Sequence, residues 1–196
     1  PREYIFIMDV SGSMNGFPIS ISKALLTDLI LNLKPSDKFN VMCFAGGSQV
    51  LSENSLEATP ENIEKAIDMI TNKQGSGGTN MLAALKEALA MEGTEDYSRT
   101  FVVVSDGYVT VEKEAFNLIR QNLSRANLFA FGIGSSVNRY LIEGLARVGM
   151  GEPFVILNLD EAPEKAEKFW KYIQSPVLTN IKTSFNGFRV NGVEPL

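Results

Sequence analysis

What most constrains this chain is an alternation along it: short, nearly continuous apolar runs, each followed by a segment whose apolar residues recur at helical spacing. The apolar runs cover 4–8, 38–44, 100–104, 128–132 and 154–157, and the helical segments cover 19–33, 60–70, 80–91, 112–122, 138–148 and 161–173. Runs without polar alternation read as strands buried on both faces, which is the signature of a parallel sheet covered by helices. The pattern therefore predicts a doubly wound, mostly parallel, Rossmann-like α/β sheet with helices on both faces. A short strand at 49–51, just after the Gly46-Gly47 turn, is expected to pair back on the strand before it as one antiparallel edge strand. In the first helix Ile21, Leu25, Leu29 and Leu33 share one face. Thr59 before Pro60 reads as an N-cap with proline at the first helical position, and Ala162-Pro163 opens the last helix in a similar way.

With 196 residues, 44% hydrophobic and 21% charged, the chain is long enough for one unit with a substantial core. After Ser175 the text changes to short alternating runs with Asn-Gly turns, so residues 1–175 are expected to form the domain and 176–196 a β-like tail leading towards a neighbouring module. No apolar run approaches the roughly 20 residues that span a bilayer, and no signal peptide is visible at Pro1. The chain reads as a segment of a longer parent, so this says little about location. A net charge of -5 argues against a nucleic-acid surface, which needs a concentrated basic field. The lone Cys43 sits within "FNVMCF" and reads as a small buried hydrophobe, and the absence of histidine removes the commonest general base and zinc ligand.

Open parallel sheets bind ligands at the carboxyl ends of their strands, and three of the loops expected there carry hard oxygen donors. "DVSGSM" follows the first strand with Asp9, Ser11 and Ser13 two apart; "GSGGTN" presents Thr79; "VVVSDG" ends on Asp106. Two carboxylates and three hydroxyls suit a hard divalent cation such as magnesium or manganese. Singly, each has a plainer role as a turn or cap residue; their order and placement at successive strand and helix ends favour a common site.

These three stretches resemble the metal-ion-dependent adhesion site of von Willebrand factor type A domains, over roughly 4–173. The family's Asp-x-Ser-x-Ser pattern matches Asp9, Ser11 and Ser13, its second-loop threonine matches Thr79, and its third-loop aspartate matches Asp106. "DVSGSMNGFPI", "KPSDKFNVMCF", "FGIGSSVNRYLIEGLA" and "SPVLTNI" are similar to the subgroup found in inter-alpha-trypsin inhibitor heavy chains and their bacterial relatives, where a β-rich domain called VIT usually precedes. The one departure is Ser105, where threonine is common. The resemblance implies a non-enzymatic, adhesion-type module. In it Ser11, Ser13 and Thr79 would hold the cation with Asp9 and Asp106 close by, and a partner protein's Asp or Glu would complete the coordination. The ion expected is magnesium, with manganese or calcium as alternatives, in an exported or cell-surface parent.

Two other classes compete. Intracellular type A domains act as assembly platforms, and phosphatases of the haloacid dehalogenase type also end a strand on aspartate, although they need a second aspartate where this chain has Ser11. "FGIGSS" reads as a turn before the next helix, because it lacks the full glycine fingerprint of a phosphate loop. Phe169 and Ile173 fall at core spacing, whereas Met14 and Phe17 stand beside the first loop, where either rim or core is open to them.

Overall fold

The computed structural model describes residues 1–109, 111–123, 126–173 and 186–187. Five parallel strands form its centre: β1 (Arg2–Asp9), β2 (Lys38–Phe44), β5 (Ser98–Ser105), β6 (Ala126–Ile133) and β7 (Pro153–Ile156). With β3 (Ser48–Val50) at one edge, the order across the sheet is β3-β2-β1-β5-β6-β7. The expected hairpin is present, with β3 antiparallel to β2. The edge is more than the one short strand expected, however. A second segment, β4 (Leu56–Glu57), also pairs antiparallel with β2, beside Lys38 and Phe39. Two residues carry no readable periodicity, so only the pairing reveals it.

Side chains along β1 divide the core in two, as a strand's two-residue period requires. Tyr4, Phe6 and Met8 face α1 (Phe17–Leu31), α2 (Pro60–Thr71) and α6 (Ala162–Ile173). Ile5 and Ile7 face α3 (Met81–Ala90), α4 (Glu112–Asn122) and α5 (Arg139–Val148). All five of these β1 residues are buried. Each face buries well over a dozen apolar side chains at about 1.5–3 kcal/mol apiece, which makes packing the dominant favourable term.

Helix α1 starts two residues earlier than the apolar spacing indicates, because Pro18 is at home in a first turn and carries the helix back to Phe17. Leu33 lies beyond its end yet remains buried. Thr59 does cap α2, its hydroxyl accepting from the Asn62 amide at 3.3 Å, with Pro60 behind it. Phe169 and Ile173 are core residues as expected, and Cys43 is buried. Gly134 turns the chain after β6 at φ 110°, in keeping with the turn read from "FGIGSS". No described helix is long and apolar enough to cross a membrane. The expected tail at 176–196 and the boundary before it lie outside the described residues, apart from a turn at 186–187.

Candidate metal site

The strand order creates the site. From β1 the chain crosses to β2 on one side, while β5 pairs on the other, so the connections leaving β1 and β5 diverge to opposite faces of the sheet. A crevice opens at such a switch point, beyond the carboxyl ends of the two strands. Asp9 is the last residue of β1, and Asp106 follows the last residue of β5.

Asp9 is fully buried and held on both oxygens. Its Oδ1 accepts from the Ser11 amide at 2.9 Å, and its Oδ2 accepts from the Ser105 hydroxyl at 2.6 Å. Ser105 in turn accepts from the Gly107 amide at 2.9 Å, which ties the first loop to the third. Burial pushes the Asp9 carboxyl above its ordinary range; the bonds from Ser105 and Ser11 act against this, and the negative charge of Asp106 adds to it. Asp106 is itself nearly buried, with Oδ1 accepting from the Tyr108 amide at 3.0 Å. Among the described residues neither carboxylate has a lysine or arginine within ion-pair distance.

The hydroxyls stand next to these acids. After Asp9 a single 3-10 turn, Gly12–Met14, folds the chain so that the Ser11 and Ser13 hydroxyls lie 3.2 Å apart. The second loop is stitched to the first by two backbone bonds, Ser76 N–H to Val10 O at 3.0 Å and Gly12 N–H to Gly77 O at 2.9 Å. The Asn80 amide anchors the same loop to Ala45 O at 2.7 Å, and the Asn80 side chain caps α3 by accepting from Ala83 N. Thr79 is therefore not the cap of α3. Its plainer role is taken by its neighbour, and Thr79 lines an open depression of about 460 Å3 together with Ser13, Gly77, Gly78, Tyr108, Val109 and Val111.

Of the five residues expected to act together, Asp9, Ser11 and Ser13 share the first loop and its hydrogen bonds, Ser13 and Thr79 line the same depression, and Asp106 is tied to Tyr108 on its wall; Asp9, Ser11 and Asp106 are not themselves in the lining. For the two residues open between rim and core, the structure decides. Met14 is fully buried and packs in the core cluster beneath the loop; Phe17 is 46% exposed but does not line the depression. Two participants were not anticipated. Ser105, read only as a substitute for threonine, is the donor that holds Asp9; a hydroxyl ending an apolar strand next to Asp106 was the available signal. Tyr108 forms one wall of the depression, and nothing local distinguishes it from any loop tyrosine.

The donor chemistry fits a hard divalent cation. Among the described residues no group of three or more His, Cys, Asp or Glu side chains converges, so the oxygens on offer are two carboxylates and three hydroxyls. Two acids held close without a basic partner repel each other, and positive charge between them would relieve the cost of burying them.

A family model described as von Willebrand factor type A domain matches residues 2–153. A von Willebrand factor A domain-containing protein of Dictyostelium discoideum is 30% identical over 184 residues, 93% of this chain and 20% of that protein's length. The mouse von Willebrand factor A domain-containing protein 5B1 is 30% identical over 180 residues, 91% of this chain and 15% of its own length. The chain thus spans a fifth or less of these two relatives. Among solved structures, the conserved hypothetical protein BatB from Bacteroides thetaiotaomicron superposes with a TM-score of 0.74 at 17% identity, covering 89% of this chain and 100% of that one. Proximal thread matrix protein 1 from the mussel byssus, with a zinc-occupied MIDAS motif, gives a TM-score of 0.67 at 18% identity over 87% of this chain and 45% of that one. At such identities the structural likeness speaks for the fold alone. With the family match covering most of the described residues, this chain belongs to the von Willebrand factor type A domain family.

Proposed function

We propose that this domain is a metal-dependent protein-binding module, and not an enzyme, whose site is Asp9, Ser11, Ser13, Thr79 and Asp106. The observation that carries the reading is the pair of buried carboxylates, without a basic partner among the described residues, on the loops that also carry the Ser11 and Ser13 hydroxyls and border the depression lined by Ser13 and Thr79. Ser11, Ser13 and Thr79 would hold the cation through neutral oxygens. Asp9 and Asp106 would supply the compensating negative charge, with Asp9 fixed in place by Ser105 and the Ser11 amide. A divalent cation bound there supplies the positive charge that attracts an Asp or Glu carboxylate of a partner protein. Because three of the five donors are neutral, much of that charge remains available to the partner. The mussel protein with a zinc-occupied MIDAS motif supports a divalent cation in this fold without fixing the ion; magnesium is our choice for a site of oxygen donors only. We further propose that the parent is exported or displayed at the cell surface and carries a VIT-like neighbour.

Isothermal titration of magnesium and of manganese into the metal-stripped domain, against a Ser11→Ala/Ser13→Ala variant, tests the site. Saturable one-to-one binding in the intact domain, abolished in the variant, is expected. No binding in the intact domain, or equal binding in the variant, refutes it.

A further inference from the structure

The depression beside Ser13 and Thr79 is larger than a carboxylate needs. At about 460 Å3 it falls within the range, about 300–1,000 Å3, of pockets that take whole small ligands. Its lining is asymmetric. The third loop contributes Tyr108, Val109 and Val111, all aromatic or aliphatic; the first and second loops contribute the two hydroxyls with Gly77 and Gly78. None of these residues carries a formal charge.

Tyr108 is 78% exposed, the most exposed of the large hydrophobic side chains among the described residues. Its exposure is imposed locally. Gly107 adopts φ 75°, and the Tyr108 amide is tied to Asp106 Oδ1, so the backbone is pinned while the ring is left in water. A Cβ on Gly78 would meet nothing within 4 Å, so that wall is bare with room to spare and lets a backbone approach closely, whereas Gly77 stands at φ 78°, which itself calls for glycine.

From these walls we infer that the partner presents its acidic residue within an extended segment and next to a large apolar or aromatic side chain, which packs against Tyr108, Val109 and Val111. The inference rests on the metal-dependent reading above, and makes Tyr108 a specificity-determining residue. The acid supplies metal-dependent attachment that any exposed Asp or Glu offers equally. The neighbouring apolar side chain discriminates among them, because only it removes the tyrosine and valine surfaces from water.

The test uses two synthetic peptides with blocked ends, one with aspartate flanked by glycines and one with aspartate flanked by phenylalanines. Both are titrated into the magnesium-loaded domain and followed by amide chemical shifts. The phenylalanine peptide is expected to bind about tenfold more tightly, as partial burial of one aromatic side chain implies. Tyr108→Phe keeps that preference, and Tyr108→Ala reduces it to about twofold or less. Equal binding of the two peptides, an undiminished preference in Tyr108→Ala, or no shifts from either peptide overturns the inference. Magnesium titration of the intact domain separates the two levels: metal binding without peptide preference sinks the apolar rim alone, whereas failure to bind metal removes the underlying reading as well.

Discussion

Replacing Gly75 by alanine should loosen the joint between the first and second loops. An added Cβ would stand 2.6 Å from Asn15 N, 2.7 Å from Asn15 Cα and 3.0 Å from Ser11 O, all backbone atoms that cannot rotate away. Comfortable separations are about 3.5–4.0 Å, so the loops must part by roughly 1 Å. Overpacking of this kind costs about 1–3 kcal/mol. The bonds from Ser76 to Val10 and from Gly12 to Gly77 cross the same joint, and weakening them adds up to about 1 kcal/mol each. Against this, alanine restricts the unfolded chain and returns about 0.4–1 kcal/mol. The balance is a loss of about 2 kcal/mol, a fall in Tm of about 4–8 °C for a domain of this size. Gly46→Ala is the control, since a Cβ there meets no atom within 4 Å. Urea melts followed by the single tryptophan, Trp170, which packs on Tyr4 and Phe169, report the stability of both variants. Magnesium titration should show a weaker site in Gly75→Ala, because Ser13 and Thr79 sit on the two loops being forced apart. If Gly75→Ala matches Gly46→Ala in both stability and metal affinity, the claim that close backbone contact sets the site geometry is wrong.

Two further outcomes follow from the buried polar groups. At the opposite end of the sheet Glu3 is fully buried, accepting from Ser55 Oγ at 2.6 Å and from the Thr94 amide and hydroxyl at 3.2 Å each. Arg99 Nε lies 3.2 Å from Glu3 Oε2, but its N–H is not aimed at that oxygen, so the contact is an ion pair without a hydrogen bond. Glu3→Ala leaves a largely buried guanidinium without its counter-charge and should cost about 3–5 kcal/mol in urea melts; a cost below about 1 kcal/mol contradicts the pairing. Burial pushes the Cys43 thiol up to about 11 from an ordinary 9.0, with Lys73 acting the other way. A raised folded pKa gives stability that is complete below pH 9.0 and is lost as pH climbs towards about 11, since the unfolded chain releases its proton first. The intact domain should therefore lose more stability than Cys43→Ala across that window; parallel stability curves would show that the thiol is not held protonated by burial.

The fold was largely legible because its signals are local. Five apolar runs and six helical segments all correspond to observed elements, with boundaries shifted by at most two residues where caps and strand pairing extend or trim the pattern. The exceptions are instructive. β4 exists only because β2 offers a free edge to Leu56 and Glu57, and Met14, open between rim and core from the sequence, went to the core because the 3-10 turn directs it beneath the loop. At the site, residue types and their positions at strand ends were readable in order along the chain. Ser105 was legible only as a substitution, since the role it plays depends on an aspartate 96 positions away.

By itself, then, the sequence determined which segments become strands and helices, and which strand ends carry oxygen donors, because periodicity and strand-end chemistry are written over neighbouring residues. Tertiary structure alone decided that β1 and β5 lie side by side, that Ser105 anchors Asp9, that the glycines of the second loop press on the first, and that Tyr108 overlooks Ser13 and Thr79. Those facts depend on strand order and on backbone contacts between distant loops, and no local pattern records the energy of packing that selects them.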